Sequence, residues 1–158
     1  MVKFMSRDIG NIAITFPFLF SSENWRTLVN NIQRISNDYD NKDITQYLPI
    51  GSEYNNFDWI YQNISKEELF RIIEVKNLKK EQIGFSLSNI HNLIDFLMVY
   101  EELSKENKTT ISFNFSCDAK IINNTIMTDF SIYLNLLYPT ISGLSKEFFI
   151  NCSQYIDR

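Results

Sequence analysis

The chain has 158 residues, of which 44% are hydrophobic and 22% are charged. A chain of this length usually folds as one domain and buries roughly 70% of the surface that its unfolded form exposes. We therefore predict a single globular domain over residues 1–158. The formal net charge of −4 argues against non-specific binding to nucleic acid or to an anionic membrane.

The cysteine content and the apolar runs bear on the cellular compartment in which the protein acts. Cys117 and Cys152 are too few and too far apart for a disulfide framework or a zinc site. One pairing between them stays geometrically open, but two free thiols in a reducing cytosol are the simpler expectation. The apolar run at 12–20 does not fit a signal peptide, because Pro17 interrupts it and no cleavage site follows it. No apolar run reaches the length of a membrane span. We therefore predict a cytoplasmic protein with no membrane contact.

Apolar residues recur at two spacings along the chain, the period of two of a strand and the period of 3.6 of a helix. The predicted strands lie at 12–18, 82–87, 109–116 and 128–134, and the predicted helices lie at 22–37, 65–76, 89–105 and 145–156. The last two strands are expected to pair as antiparallel neighbours. This mixture predicts the α+β class, with helices packed on a mixed or antiparallel β-sheet.

Local signals mark the starts of several helices. Ser65 and Glu68 have the spacing of a capping box, in which a serine side chain accepts a hydrogen bond from the backbone N–H three residues later. Ser88 and Ser145 are expected to cap the helices that follow them. A short helix is also predicted around 57–64.

Catalytic motifs are not recognisable. His91 is the only histidine, so a triad, a Cys/His dyad or a histidine metal site lacks partners. A calcium loop starting at Asp38 would need glycine at its sixth position and an acid at its twelfth, and these positions hold Asp43 and Pro49. Phosphate-binding and RNA-binding patterns are missing too. We therefore predict a protein that is not an enzyme and that binds no cofactor, no metal and no nucleic acid.

The segment from Asp38 to Tyr61 concentrates acidic residues and aromatic rings. It holds five acids against one lysine, and its net charge of −4 equals that of the whole chain. It also holds four of the eight tyrosines, together with Phe57 and Trp59. Its turn residues predict a long loop, and long loops in compact domains are often functional.

Residues 58–87 resemble bacterial immunity proteins of contact-dependent inhibition and polymorphic toxin systems. The resemblance rests on Asp58-Trp59, on a helix through Leu69-Phe70-Arg71-Ile72-Ile73-Glu74, and on Glu81-Gln82-Ile83-Gly84-Phe85-Ser86-Leu87 entering a strand. It implies a cytosolic protein that binds one toxin domain tightly and blocks its active site or its access to the target. Many such toxins are nucleases with basic clefts. An acidic surface with aromatic rings suits them, because the charges steer the encounter and the rings anchor it.

We therefore predict an immunity protein that binds and neutralises a cognate, basic, nuclease-type toxin domain. The predicted partner-binding residues are Asp38, Tyr39, Asp40, Asp43, Tyr47, Glu53, Tyr54 and Asp58. Two other classes stay open: another interaction module, such as an adaptor or a phage-encoded inhibitor, and an enzyme with an unrecognised carboxylate site. The segment could instead be a solvated loop whose Phe57 and Trp59 pack into the core, and Glu101, Glu102 and Glu106 would then be the next candidate surface. The sequence carries no prediction of oligomeric state.

Overall fold

Three helices pack on one face of a six-stranded antiparallel sheet in the computed structural model, which describes residues 9–35, 44–52, 58–90, 94–102, 106–116 and 130–155. In chain order the elements are β1 (Ile9–Phe16), α1 (Ser22–Arg34), β2 (Gln46–Tyr47), α2 (Lys66–Leu78), β3 (Gly84–Ile90), β4 (Ile94–Glu102), β5 (Thr109–Ser116), α3 (Phe130–Ser142) and β6 (Phe149–Tyr155). The strands are ordered β2-β3-β4-β5-β1-β6. The predicted α+β class is confirmed, and the sheet is antiparallel.

Strands β1 and β5 form the centre of the core. Ile12 lies opposite Phe113 and Ile14 lies opposite Ile111, and all four side chains are buried. Alternation places these residues on the face that meets the helices. β1 ends one residue before Pro17, which has no N–H to donate to a ladder. The predicted strand at 109–116 is confirmed, and the one at 12–18 lies three residues earlier at its start.

Helices α1 and α2 begin at serine caps. The Ser21 hydroxyl accepts from the Asn24 N–H at 3.2 Å, and the Asn24 side chain accepts from the Ser21 N–H at 2.9 Å. The Ser65 hydroxyl likewise accepts from the Glu68 N–H at 3.2 Å. The helices predicted at 22–37 and 65–76 are therefore confirmed, with small differences at their ends.

The predicted helix at 89–105 is wrong over its described residues, because 89–90 belong to β3 and 94–102 form β4, which pairs with it. Leu97 and Val99 lie opposite Phe115 and Phe113 of β5, so they are buried as strand residues. The sequence of β4 contains a short apolar run, and such a run fits a helical spacing as well as a strand. The expected cap, Ser88, lies inside β3 opposite Phe96.

The predicted strand at 128–134 is also wrong over its described residues, 130–134, and so is their pairing with 109–116. Helix α3 starts at Phe130, and its buried residues Tyr133, Leu137 and Ile141 follow the period of a helix. Pro139 lies inside α3. A proline cannot donate to the carbonyl four residues earlier, which here is that of Asn135. Both Pro139 and Asn135 are exposed.

The predicted helix at 145–156 is wrong over its described residues, because 149–155 form the strand β6. β6 pairs with β1 from Thr15 and Phe149 to Ile9 and Tyr155. The Ser145 hydroxyl accepts from the Glu147 N–H at 3.1 Å, so this serine forms a local turn and caps no helix. β1 supplies backbone hydrogen-bond partners for residues 149–155. Asn151, Cys152 and Ser153 of β6 are also weak helix formers.

Candidate functional site

Part of the acidic and aromatic segment is held at one edge of the sheet. Its described residues, with the three that follow, are 44–52 and 58–64, called here the edge segment. β2 pairs with β3 through Gln46 and Tyr47. Beyond β2, the chain at 58–64 runs antiparallel to 44–47, because Tyr47 and Ile60 exchange hydrogen bonds of 3.2 and 2.9 Å and Ile44 and Ile64 exchange bonds of 3.1 and 3.0 Å. The predicted short helix at 57–64 is therefore wrong over its described residues, 58–64.

A close approach fixes the edge segment over β3. Gly84 lies on the sheet face away from the helices, and a Cβ atom there would lie 2.8 Å from Leu48 Cδ1 and 2.8 Å from Trp59 Cη2. Leu48 is buried and Trp59 is half-buried. Only glycine lets these two side chains cover the strand so closely. The described parts of the segment are thus held against the sheet, and Trp59 packs inward as the solvated-loop alternative also expects.

A buried lysine anchors the turn at 49–52, called here the anchored turn. Lys76 is only 1% exposed, and its Nζ donates to the Pro49 carbonyl at 2.6 Å and to Ser52 Oγ at 2.9 Å. Glu81 completes the contact, because its Oε2 accepts from the Gly51 N–H at 2.8 Å and lies 3.6 Å from Lys76 Nζ. Burial lowers the pKa of Lys76, while the nearby Glu81 carboxylate opposes that shift.

The sequence contains a signal for a buried Lys76 that is not among the predictions made from it. Leu69, Ile72 and Ile73 define the buried stripe of α2, and the next position of that stripe is Lys76. A lysine on the buried side of a helix needs acceptors for its three protons. In this chain the anchored turn supplies two of them.

Glu101 lies near this lysine on the helix-facing side of β4. Burial raises the pKa of Glu101 to about 7, while a backbone hydrogen bond from Ile83 and the charge of Lys76 act in the opposite direction. The Glu101 N–H donates to the Ile83 carbonyl at 2.9 Å. Burial by the fold is the main cause of the shift.

The exposed part of the edge segment is small but distinctive. Tyr61 is 83% exposed and Ile50 is 43% exposed, and Asp58, three residues before Tyr61, is exposed too. Tyr47 is half-buried and packs against the hydrophobic core, so its ring is mainly structural. Of the eight predicted partner-binding residues, Asp58 has the expected exposure. Tyr61 was not among them, although it lies in the same acidic and aromatic segment.

The other six predicted residues lie outside the part of the chain that the structure describes. These are Asp38, Tyr39, Asp40, Asp43, Glu53 and Tyr54. The edge segment flanks them on both sides, since Ile44 follows Asp43 and Asp58 follows the 53–57 gap. Their place in the binding surface stays a prediction.

The alternative surface of Glu101, Glu102 and Glu106 does not form one acidic patch. Glu101 faces the helices, as its partner Ile111 does. Glu102 lies on the opposite face and accepts a 2.5 Å hydrogen bond from Ser112. Glu106 is exposed and pairs with Lys108 at 3.0 Å. These three carboxylates therefore point to different surroundings.

The sheet face away from the helices carries a polar row. The Asn11 amide donates to Ser112 Oγ at 3.0 Å and also to Asn114 Oδ1, and the Asn114 amide donates to the Tyr100 hydroxyl at 3.3 Å. With the Ser112–Glu102 bond, the row crosses β1, β5 and β4. These groups bind one another, so the row reads as a structural network.

The catalytic candidates gain no partners in the part of the chain that the structure describes. Within those residues, no three His, Cys, Asp or Glu side chains lie close enough together to hold a metal ion. His91 and Cys117 lie outside them. Cys152 is half-buried, and burial raises the pKa of its thiol, which disfavours the reactive thiolate. No described helix is long and apolar enough to cross a membrane.

The comparisons with known proteins add no family. The chain matches no protein-family model, and no curated protein or solved structure matches it significantly. The functional argument therefore rests on the residues and their geometry.

Proposed function

We propose that the chain is an immunity protein that binds and neutralises a cognate bacterial toxin domain, and that the edge segment forms part of the contact. The observation that carries the proposal is the exposure of Asp58, Tyr61 and Ile50 along the edge segment, whose backbone is fixed by β3 and by Lys76. The resemblance of residues 58–87 to immunity proteins supports it. In this proposal the protein acts in the cytoplasm, without catalysis and without a cofactor.

The charge of the segment favours a basic partner. Between Asp38 and Tyr61, five acids and one lysine give a net charge of −4, equal to that of the whole chain. Acidic groups around a contact raise the rate of encounter with a basic surface, and this gain falls as salt screens the charges. A nuclease-type toxin domain, whose cleft binds phosphates, presents such a surface.

In this proposal the exposed ring of Tyr61 supplies binding affinity. Tyrosine is enriched among the few residues that carry most of the binding energy of protein interfaces. Tyr61 is 83% exposed, and its backbone lies between the two bridges at Ile60 and Ile64. A side chain presented by fixed backbone loses less conformational freedom on binding than one on a free loop.

Inhibition follows from occupancy of the toxin surface. A partner that covers a basic cleft prevents the cleft from reaching nucleic acid, and no reaction by the immunity protein is needed. A site made of packed backbone, exposed rings and carboxylates can act in this way.

The test is binding to the protein encoded directly upstream, expressed as an inactive variant. Co-purification and titration calorimetry would establish the complex, and protection of growing cells from the active toxin would establish neutralisation. We expect Tyr61→Ala to weaken binding by about 2 kcal/mol if Tyr61 is a central anchor. Tyr138→Ala is the matched control, because Tyr138 is also an exposed tyrosine, 58% exposed, on α3.

The charge argument has its own variant. Asp58→Asn should slow association and reduce its dependence on salt, with a smaller effect on dissociation. Glu67→Gln, which removes an exposed acid from α2, serves as the control. Equal effects of the site variants and their controls would exclude the edge segment as the contact. Absence of any complex with the upstream protein would exclude the immunity function.

A further inference from the structure

Ile50 is displayed at the tip of the anchored turn, on a backbone that is bonded on both sides of it. The Pro49 carbonyl, before Ile50, accepts from Lys76 Nζ at 2.6 Å. The Gly51 N–H, after Ile50, donates to Glu81 Oε2 at 2.8 Å. The two main-chain groups that flank Ile50 are therefore held by α2 and by the turn that follows it.

The conformation of the anchored turn exposes one aliphatic side chain. The Ser52 N–H donates to the Pro49 carbonyl at 3.3 Å, which closes the turn. Gly51 has a φ of +86°, in the left-handed region that glycine adopts without steric cost. Leu48, before the turn, is buried, whereas Ile50 is 43% exposed. Ile50 is thus presented to solvent by a turn of fixed shape.

The side chains that hold the tip lie beneath it. Lys76 is buried, and the side chain of Glu81 is 19% exposed. The Glu81 N–H donates to the Lys76 carbonyl at 2.8 Å, so the two residues are also fixed relative to each other. Because Lys76 has almost no exposed surface, it can influence a partner only through the backbone of the turn.

We propose that Ile50 enters an apolar cavity on the toxin domain and helps to determine which toxin is bound, with Lys76 and Glu81 as the positioning residues for this contact. The inference rests on the proposed immunity function and adds an aliphatic contact to the charged and aromatic ones. A β-branched side chain has few rotamers, and here its backbone is fixed as well. Ile50 therefore loses little conformational freedom when a cavity closes around it.

The chemistry of the turn decides the kind of cavity. Pro49 and Ser52 commit polar atoms to Lys76, and the Gly51 N–H is committed to Glu81. The exposed side chain that is left to meet a partner is a hydrocarbon, which gains free energy by leaving water. An apolar cavity distinguishes such side chains by size, and one methylene changes binding there by about tenfold or more.

Titration calorimetry with the inactive variant of the upstream toxin domain tests the contact. Ile50→Ala should weaken binding by about tenfold or more, and Ile50→Val, which removes one methylene, should have a smaller effect. Lys76→Met removes the donors of the side chain but keeps an unbranched apolar chain in place, and it should also weaken binding by about tenfold. Leu137→Ala is the control for stability, because it opens a cavity in the core under α3. This variant should bind as the wild type does.

A double-mutant cycle separates positioning from general support of the fold. In the Lys76→Met background, Ile50→Ala should weaken binding by less than about threefold, because a released turn no longer presents Ile50. Tyr61→Ala should keep its full effect in that background, since 58–64 is bridged to 44–47 independently of Lys76. Circular dichroism shows whether each variant is folded. If Lys76→Met does not fold, Glu81→Ala, which removes the acceptor of the Gly51 N–H, takes its place in the cycle.

The outcomes separate this inference from the function on which it rests. A complex in which Ile50→Ala binds as tightly as the wild type would overturn the contact and leave the immunity function standing. Full additivity of Ile50→Ala and Lys76→Met, or an equal loss of the Tyr61→Ala effect in the Lys76→Met background, would overturn the positioning roles. Absence of any complex with the upstream toxin domain would overturn the immunity function and this inference together.

Discussion

The two edges of the sheet differ in how their backbone is completed. At the β2 edge, further chain runs beside the two-residue strand, Trp59 covers Gly84 and Lys76 anchors the turn. At the β6 edge, seven residues end the sheet with exposed Phe149 and Ile150. A covered edge can present side chains without recruiting another strand, whereas a bare edge recruits backbone. Among the described residues, the first edge is therefore completed by backbone and side-chain contacts, whereas the second ends at a strand with β1 as its one neighbour.

The largest expected effect comes from removing the anchor of the β2 edge. Lys76→Ala should lower the free energy of unfolding by about 3 kcal/mol, because Glu81 loses its cation and the Pro49 carbonyl loses its donor. Urea unfolding measures this change. Lys79→Ala, an exposed lysine three residues later, should change stability by less than about 0.5 kcal/mol. Equal values for the two variants would mean that the anchored turn is not held by Lys76.

The second expected effect is a dependence on pH from the same side of the sheet. The pKa of Glu101 is about 7, raised from 4.5, so between these pH values the folded chain keeps a proton that the unfolded chain has released. The stability contribution of Glu101 is therefore present at low pH and is lost as the pH rises toward 7. This loss amounts to at most about 3 kcal/mol.

The measurement is urea unfolding of the wild type and Glu101→Gln across this pH range. The variant should lose less stability than the wild type as the pH rises. Glu67→Gln, at an exposed position of α2, should retain the wild-type profile. Parallel profiles for the wild type and Glu101→Gln would show that Glu101 does not titrate as described.

The third expected effect tests the close cover of β3. Gly84→Ala should cost about 1–2 kcal/mol, because the new methyl group would lie 2.8 Å from both Leu48 and Trp59. Gly143→Ala is the control, since a Cβ atom at Gly143 would lie 3.6 Å from Asn31 Nδ2, an ordinary contact distance. Urea unfolding should show little loss for the control. A tolerated Gly84→Ala would mean that the edge segment can lift from the sheet at low cost.

The smallest expected effect concerns the exposed rings at the two edges. Tyr61→Ala and Phe149→Ala should each change the stability of the monomer by less than about 0.5 kcal/mol, because these side chains are 83% and 71% exposed. Thermal unfolding at low protein concentration measures this. A large loss for either variant would show that the ring is part of the core and is not available to a partner.

The sequence predicted the elements whose local and tertiary preferences agree. In α1, the Ser21 cap and the stripe of Trp25, Leu28 and Ile32 all favour the same helix. In β5, the alternation of Ile111, Phe113 and Phe115 has no competing helical period. The fold class followed from these elements, because consistent local signals are the ones that tertiary packing keeps.

The wrong predictions fall where one pattern fits two periods. Ile90, Ile94 and Leu97 match a helix, but β5 and β3 offer backbone partners on both sides of β4. In α3 the apolar residues Phe130, Ile132 and Leu134 alternate like a strand, but the buried Tyr133, Leu137 and Ile141 follow the period of a helix. A single sequence does not state which strands will be neighbours, so these choices were decided by tertiary pairing.

The candidate site was predicted as a region, but its supports were not. The charge of the segment is visible in the sequence, whereas the contacts that fix it come from α2 and β3. Lys76 and Glu81 are ordinary charged residues until the fold brings the anchored turn beside them. Long-range contacts of this kind leave only a weak trace in the chain, such as a lysine on an apolar stripe.

The way in which the anchored turn is held also affects how the protein can change over evolution. The hydrogen bonds that fix it use the carbonyl of Pro49 and the N–H of Gly51, and only Ser52 contributes a side chain. Because main-chain atoms are common to every amino acid, the exposed Ile50 between them can be replaced without loss of these bonds. A lineage could therefore alter the surface that a changing partner meets while the turn keeps its shape.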